Sequence, residues 1–434
     1  MTGDVALSMR STAEGEQSLS PHPARIRPIP RVNVRAFCDD QHTAEVVEKA
    51  SKDRRLAKAQ IGVKMGGARA AAAFYENVST PDLIIIESLM DKMDMLEELD
   101  RLAEVCDPST KVIVIGHVND VLLYRELLRR GVSEYIVAPV NVLQVIESVS
   151  AIYTNPGTRP VGQVIAFVGA KGGCGSSTVC HNTAFSISSA LKSDVVIADF
   201  DLPFGTAGLD FNQDPLQGIA EALASPERLD EMLLDRLLSR CSEHLSLFAA
   251  PGTLDRPYDL DPASCDSVID VVCESVPWVA VDVPHLWTGW AKQVVQRADH
   301  VVITAAPDLA NLRNAKNLVD ELKSARPNDR RPMLVLNQVG VPKRPEISVK
   351  EFGLAMELEP KIVIDFDAQL FGTAVNNGQM IEEVWDKSKA ADAFRNLANA
   401  LTNRSVERRE QQSMLAPILA RLRLSWKAEH IKIT

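Results

Sequence analysis

Between Arg31 and Tyr153 short apolar runs alternate with longer amphipathic stretches. Val32–Phe37, Gln60–Val63, Asp82–Glu87, Lys111–Ile115 and Glu134–Val137 read as strands. Thr43–Leu56, Ala68–Asn77, Met93–Val105, Asp120–Arg130 and Val142–Tyr153 carry apolar positions at helical spacing. A five-fold βα alternation predicts a small parallel sheet covered on both faces. Thr154–Pro160 is rich in Pro, Gly and Thr and reads as a linker. Strand-like runs then recur at Val164–Val168, Asp194–Ala198, Leu245–Ala250, Trp278–Asp282, His300–Ala305, Met333–Asn337 and Lys361–Phe366. They predict a second α/β unit over residues 161–404 with a mostly parallel sheet. Gly372–Met380 reads as a loop closing over the sheet edge that Phe352–Pro360 also covers. Pro226–Arg240 reads as a helix whose packing face is Leu229, Met232, Leu233, Leu237 and Leu238. The flanks differ: residues 1–30, rich in Ser, Pro, Glu and Gly, read as a loosely attached tail, and 405–434 as an amphipathic tail interrupted by Pro417.

Composition narrows the possible partners. The chain has 434 residues, 46% hydrophobic and 24% charged, enough for two or three domains each with its own core. A net charge of −11 speaks against strong nucleic-acid binding, which needs a basic face. No run of about 18 apolar residues suggests a membrane span, so the expected location is cytoplasmic. Any membrane contact would be peripheral, through the 405–434 tail. Seven cysteines without a CxxC pair fit reduced thiols. An iron–sulfur site built from Cys241, Cys265 and Cys273 is a competing reading, disfavoured by their settings.

The densest chemistry lies at Val164–Asn182. An apolar strand runs into Lys171-Gly-Gly-Cys-Gly-Ser-Ser-Thr178, which opens a helix. Gly172, Gly173 and Gly175 let backbone N–H groups converge on an anion, and the helix N-terminus adds its own donors. With Cys174, Ser176, Ser177 and Thr178 these residues form a candidate phosphate cradle. The usual Walker pattern would place lysine at Ser176 and glycine at Ala170. The loop resembles instead the deviant Walker loop of the ParA/MinD superfamily, with Lys171 as the signature lysine and the second lysine lost.

That resemblance implies ATP and Mg²⁺ as ligands and a homodimer in which Lys171 reaches the partner's nucleotide. It further implies that Asp199 helps hold the Mg²⁺ site and Asp201 orients the attacking water. Asp282 ends a Walker B-like strand and, with Ser177, would hold Mg²⁺ through hard oxygen donors. Asn337 stands where the superfamily contacts the adenine edge, and it is also an ordinary strand-end residue. Loss of a cation at Ser176 predicts weaker nucleotide binding, slower hydrolysis, or both. His285 stands where the superfamily usually has glycine; a capping or surface role is the favoured reading.

The first unit resembles a response-regulator receiver domain, of flavodoxin-like fold. Asp39 and Asp40 stand at the acidic-pair position, though a solvated strand-end pair is the favoured reading. Glu87 occupies the phospho-acceptor position and Ala138 that of the lysine. A glutamate is one methylene too long for that acyl phosphate, so the unit is expected to serve docking or dimerisation.

The pairing of a degenerate receiver with a lysine-poor deviant loop, plus the run Asp201-Leu-Pro-Phe-Gly-Thr-Ala-Gly-Leu-Asp-Phe-Asn212, resembles the CpaE/TadZ family of Flp (Tad) pilus assembly proteins. The resemblance spans roughly residues 31–400. It implies an ATP-binding, dimerising localisation factor, often polar. Its partners would be the pilus secretion components (secretion ATPase and inner-membrane platform) and a polar landmark. The competing reading is a ParA/MinD-type ATPase for partition, division or flagellar placement, acting on DNA or membrane.

Overall fold

The structure, a computed structural model, describes residues 26, 28–153, 161–215, 217–255 and 257–402. The expected linker at 154–160 and the amphipathic tail at 405–434 lie outside the described residues.

The first unit is a five-stranded parallel sheet built from β1 (Asn33–Cys38), β2 (Gln60–Met65), β3 (Leu83–Ser88), β4 (Lys111–Gly116) and β5 (Glu134–Val137), in the order β2-β1-β3-β4-β5. Helices α1 (Gln41–Ser51), α2 (Gly67–Tyr75), α3 (Lys92–Val105), α4 (Val121–Arg129) and α5 (Val142–Tyr153) alternate with the strands. Because β3 is covered on both faces, all six of its residues are buried and its sequence is apolar up to Glu87. The expected helix at 43–56 divides: Asp53 accepts from the Arg55 N–H, so a separate 3₁₀ turn forms over Arg54–Leu56. The expected loose tail also ends earlier than residue 30, since Ile26 and Ile29 are buried in this unit's core.

The second unit holds β6 (Gln163–Gly169), β7 (Val195–Asp199), β8 (Ser239–Arg240), β9 (Leu245–Phe248), β10 (Trp278–Val283), β11 (His300–Ala305), β12 (Met333–Val339) and β13 (Ile362–Asp365). Their order is β13-β12-β11-β6-β10-β7-β9-β8, with β6 central and only β8 antiparallel to its neighbour. Helix α6 (Ser176–Leu191) packs against the sheet centre, and residues 179–184 are all buried. The C-terminal ends of β6, β7, β10, β11 and β12 therefore meet at one edge, where ligands bind in open parallel sheets.

Two expectations are corrected. Residues 368–377 form a helix, not a loop, because Asp367 caps it through the Leu370 N–H and Gly378 ends it at φ 61°. The 226–240 stretch breaks into a 3₁₀ turn and a helix at Glu231–Leu237, capped by Asp230. Its phase shifts, so Leu234 enters the core and Met232 lies exposed.

The two units are joined by charge pairs, those of Arg54 and Arg55 with Asp329 being buried. Arg54 binds Asp329 at 2.7 Å and Asp299 at 3.1 Å, and donates to the Arg297 carbonyl at 2.8 Å. Arg55 also pairs with Asp329, and Lys58 with Asp270.

Candidate functional site

The phosphate loop runs from Ala170 to Gly175 between β6 and α6. Its carbonyls are held from outside by side chains of other elements. Asn337, at 6% exposure, donates Nδ2 to the Cys174 carbonyl at 2.9 Å, and Gln338 donates Nε2 to Gly173 at 3.0 Å. Asn314 donates to Ala170 at 2.9 Å, and His285 Nδ1 donates to Gly169 at 2.9 Å. The Thr304 carbonyl accepts the Ala170 N–H at 2.8 Å and the Cys174 thiol at 3.2 Å. In a planar trans peptide the N–H points opposite to its C=O. Turning the Cys174 carbonyl outward thus aims the Gly175 N–H inward, toward an anion.

The glycines serve this shape differently. Gly173 and Gly175 have φ of 81° and 87°, values that side-chain-bearing residues rarely adopt. A Cβ at Gly175 would also meet Asn337 Nδ2 at 2.4 Å, whereas Gly172 and Gly173 face open space. Cys174 is buried and burial pushes its thiol up, so it contributes backbone rather than a thiolate. Ser176 Oγ is buried without a hydrogen-bond partner at the start of α6. Ser177 and Thr178 lie in the same first turn and Lys171 on the exposed rim.

The acidic residues gather beside the loop. Asp199 and Asp282 are register partners on β7 and β10, and both are buried. Burial and the neighbouring Asp282 charge push Asp199 up to about 7, against the pull of His181 and two backbone donors. Those donors are the N–H groups of Asp201 at 3.0 Å and Ala207 at 3.3 Å, so Asp199 shapes the segment that follows it. Asp201 is half-buried, and burial raises its carboxyl.

One residue in this site was not singled out from the sequence. His181, fully buried on α6, sits between the acidic elements: Nδ1 bonds Asp210 Oδ2 at 2.7 Å and Nε2 lies 3.6 Å from Asp282 Oδ2. Burial works to lower its pKa, but the hydrogen bond to Asp210 and the nearby Asp282 and Asp210 charges outweigh it, lifting it to about 10. A histidine five residues beyond the missing lysine was the available signal. His285, read as a cap or surface residue, is exposed and donates Nδ1 to the strand-end carbonyl of Gly169.

The donor set suits Mg²⁺. Two buried carboxylates side by side repel one another, and a hard dication beside them relieves that cost. With Ser177 they supply few protein oxygens, as this ion prefers, leaving positions for water and phosphate. Among the described residues no group of three or more His, Cys, Asp or Glu forms a self-sufficient metal cage. Asn337 is placed on the loop, with its amide nitrogen committed to Cys174.

In the first unit Glu87 is fully buried and hydrogen-bonded on several sides. It accepts from the Asp40 N–H at 2.8 Å, the Asp39 N–H at 3.0 Å, Thr43 Oγ1 at 2.7 Å and His117 Nε2 at 3.1 Å. Asp39 is drawn into the same cluster, accepting from the Leu89 N–H at 3.1 Å.

A pilus assembly protein CpaE from Caulobacter crescentus CB15 is 49% identical, over 30% of this chain and 98% of that one, with a TM-score of 0.29. A ParA family ATPase from Chlorobium tepidum TLS is 24% identical over 56% of this chain and all of that one, with a TM-score of 0.51, and it supports the fold. The septum site-determining protein MinD of Bacillus subtilis (strain 168) is 24% identical over 268 residues, 57% of this chain and 91% of its own. No protein-family model matches.

Proposed function

The chain belongs to the CpaE family of pilus assembly proteins, within the ParA/MinD ATPases, and we propose that it is an ATP-binding, dimerising localisation factor for a pilus assembly machine. The observation that carries this reading is the braced phosphate loop beside the buried pair Asp199 and Asp282.

Each residue has a role in this reading. Gly172–Thr178 hold the phosphates through backbone donors and the α6 N-terminus. Ser177, Asp199 and Asp282 hold Mg²⁺, which when bound neutralises phosphate charge. Lys171 acts from the rim toward a partner subunit, and Asp201 orients water for slow hydrolysis. Asn337 keeps the loop in shape through Cys174 and is the candidate for contact with the base. The ends of β7, β10 and β11 expose Phe204, Leu286, Trp287 and Leu309, an apolar rim suited to a second copy.

Mass in solution with Mg²⁺ alone, Mg·ADP and Mg·ATP tests the reading. A dimer with Mg·ATP that Lys171→Ala abolishes is expected. No nucleotide binding in any condition overturns it. Pilus secretion components and a polar landmark are the proposed partners. No helix among the described residues is long and apolar enough to cross a membrane. The acidic balance, −11 overall, favours protein partners over DNA.

A further inference from the structure

His181 lies between two elements of the candidate site. On one side is Asp282, at the end of β10. On the other is Asp210, closing the short helix Ala207–Asp210 that follows Asp201. The ring also lies against Phe211, with centroids 5.9 Å apart. The two nitrogens are in unlike states. Nδ1 has a short hydrogen bond to Asp210, whereas Nε2 is buried, 3.6 Å from Asp282 Oδ2, and has no hydrogen-bond partner. That separation is too long for a hydrogen bond. A buried polar atom left unsatisfied is costly, and a modest turn of the Asp282 carboxylate or a shift of the ring brings the two groups together.

We propose that His181 is a positioning residue which couples Asp282 of the metal site to the 201–212 segment through Asp210. Closing the Nε2 contact anchors one oxygen of Asp282 on the ring and leaves the other for the cation. The same closure draws Asp210 and Phe211 with the ring, because Nδ1 is already bonded. An ordinary core histidine would satisfy both nitrogens locally or leave both elements indifferent to it; this one joins them. The inference rests on the nucleotide reading given above.

The test uses the full chain, a fluorescent ATP analogue and MgCl₂. The affinity ratio between Mg²⁺ and EDTA is measured for the parent, His181→Phe, His181→Asn, His181→Gln and Asp210→Asn. Hydrogen exchange of amides 204–211 is followed in the same samples and without nucleotide. Asn imitates the Nδ1 donor alone and Gln the Nε2 donor alone, so neither restores the connection. The ratio is expected to fall at least tenfold in His181→Phe and Asp210→Asn. The slowing of 204–211 exchange by Mg·analogue is expected to vanish in both. A ratio within twofold of the parent, with the exchange response kept, overturns the proposal. If His181→Phe does not fold, Asp210→Asn decides by the same criteria. If the parent binds no analogue, the nucleotide reading fails. The coupling is then judged by ligand-free exchange: at least tenfold faster in Asp210→Asn supports it, and no change overturns it.

Discussion

Arg54 and Asp329 meet at 2.7 Å across the boundary between the two α/β units, each with a side chain at most 9% exposed. Desolvation opposes burying such charges, but Asp329 is also bound by Arg55 and by Arg326, at 2.9 Å. Removing Arg54 takes a desolvated partner from both Asp329 and Asp299. Arg54→Ala is therefore expected to cost about 3–5 kcal/mol, read as a lower denaturation midpoint. Arg54→Lys keeps the charge but loses the fork to Asp329, Asp299 and the Arg297 carbonyl, so it should recover only part of the loss.

The same boundary predicts a pH dependence. His300 is buried at the start of β11, and Nε2 lacks a hydrogen-bond partner. Burial lowers its pKa to about 4; Asp299 pulls it upward, and Arg330, Arg326 and Arg54 push it further down. With an unfolded value of 6.5, the unfolded chain binds the extra proton first. Stability contributed by this group is present above pH 6.5 and is lost as pH falls toward 4, by about 3 kcal/mol at most. Denaturation midpoints across that window should show the fall, and His300→Gln should flatten it. A parent midpoint that stays level through the window would contradict this assignment.

Gly175→Ala should damage the cradle more than Gly172→Ala. The first forces a side chain onto φ 87° and against Asn337, while the second faces open space. Nucleotide affinity measured by fluorescence is expected to fall at least tenfold for Gly175→Ala, about 1.4 kcal/mol or more, and less than threefold for Gly172→Ala.

Ser176→Lys tests what the missing lysine costs. A cation in the first turn of α6 adds charge-assisted contacts to a bound polyphosphate. ATP affinity is expected to rise about tenfold. Unchanged affinity would mean that the loop's backbone donors hold the polyphosphate without a second cation.

Glu87→Ala should destabilise the first unit by about 2–4 kcal/mol, since it leaves two backbone N–H groups and the Thr43 hydroxyl without their acceptor. Incubating the parent with acetyl phosphate should leave its mass unchanged. A stable gain of one phosphoryl group at Glu87 would overturn the reading of this cluster as structural.

Much of the architecture was legible because period and punctuation agreed. His300–Ala305 and Glu134–Val137 are found at the positions expected, since uninterrupted apolar runs in parallel sheets have few alternatives. The 226–240 stretch misled because its apolar spacing ignored Asp230, whose capping of the Leu233 N–H restarts the helix in another phase. Residues 372–380 misled because their helix starts upstream of the stretch, at the Asp367 cap, and ends inside it at Gly378.

Sequence alone determined the deviant loop, the absent lysine at Ser176, the acidic strand ends and the defective receiver position, because each is a matter of residue type at short spacing. Tertiary structure decided which distant side chains act on them. Asn337 lies 163 residues from Cys174, and Asp210 lies 29 from His181. No local pattern encodes such pairs. They arise because parallel strands bring their C-terminal ends to one edge, where a buried donor must find whatever acceptor the sheet order places beside it.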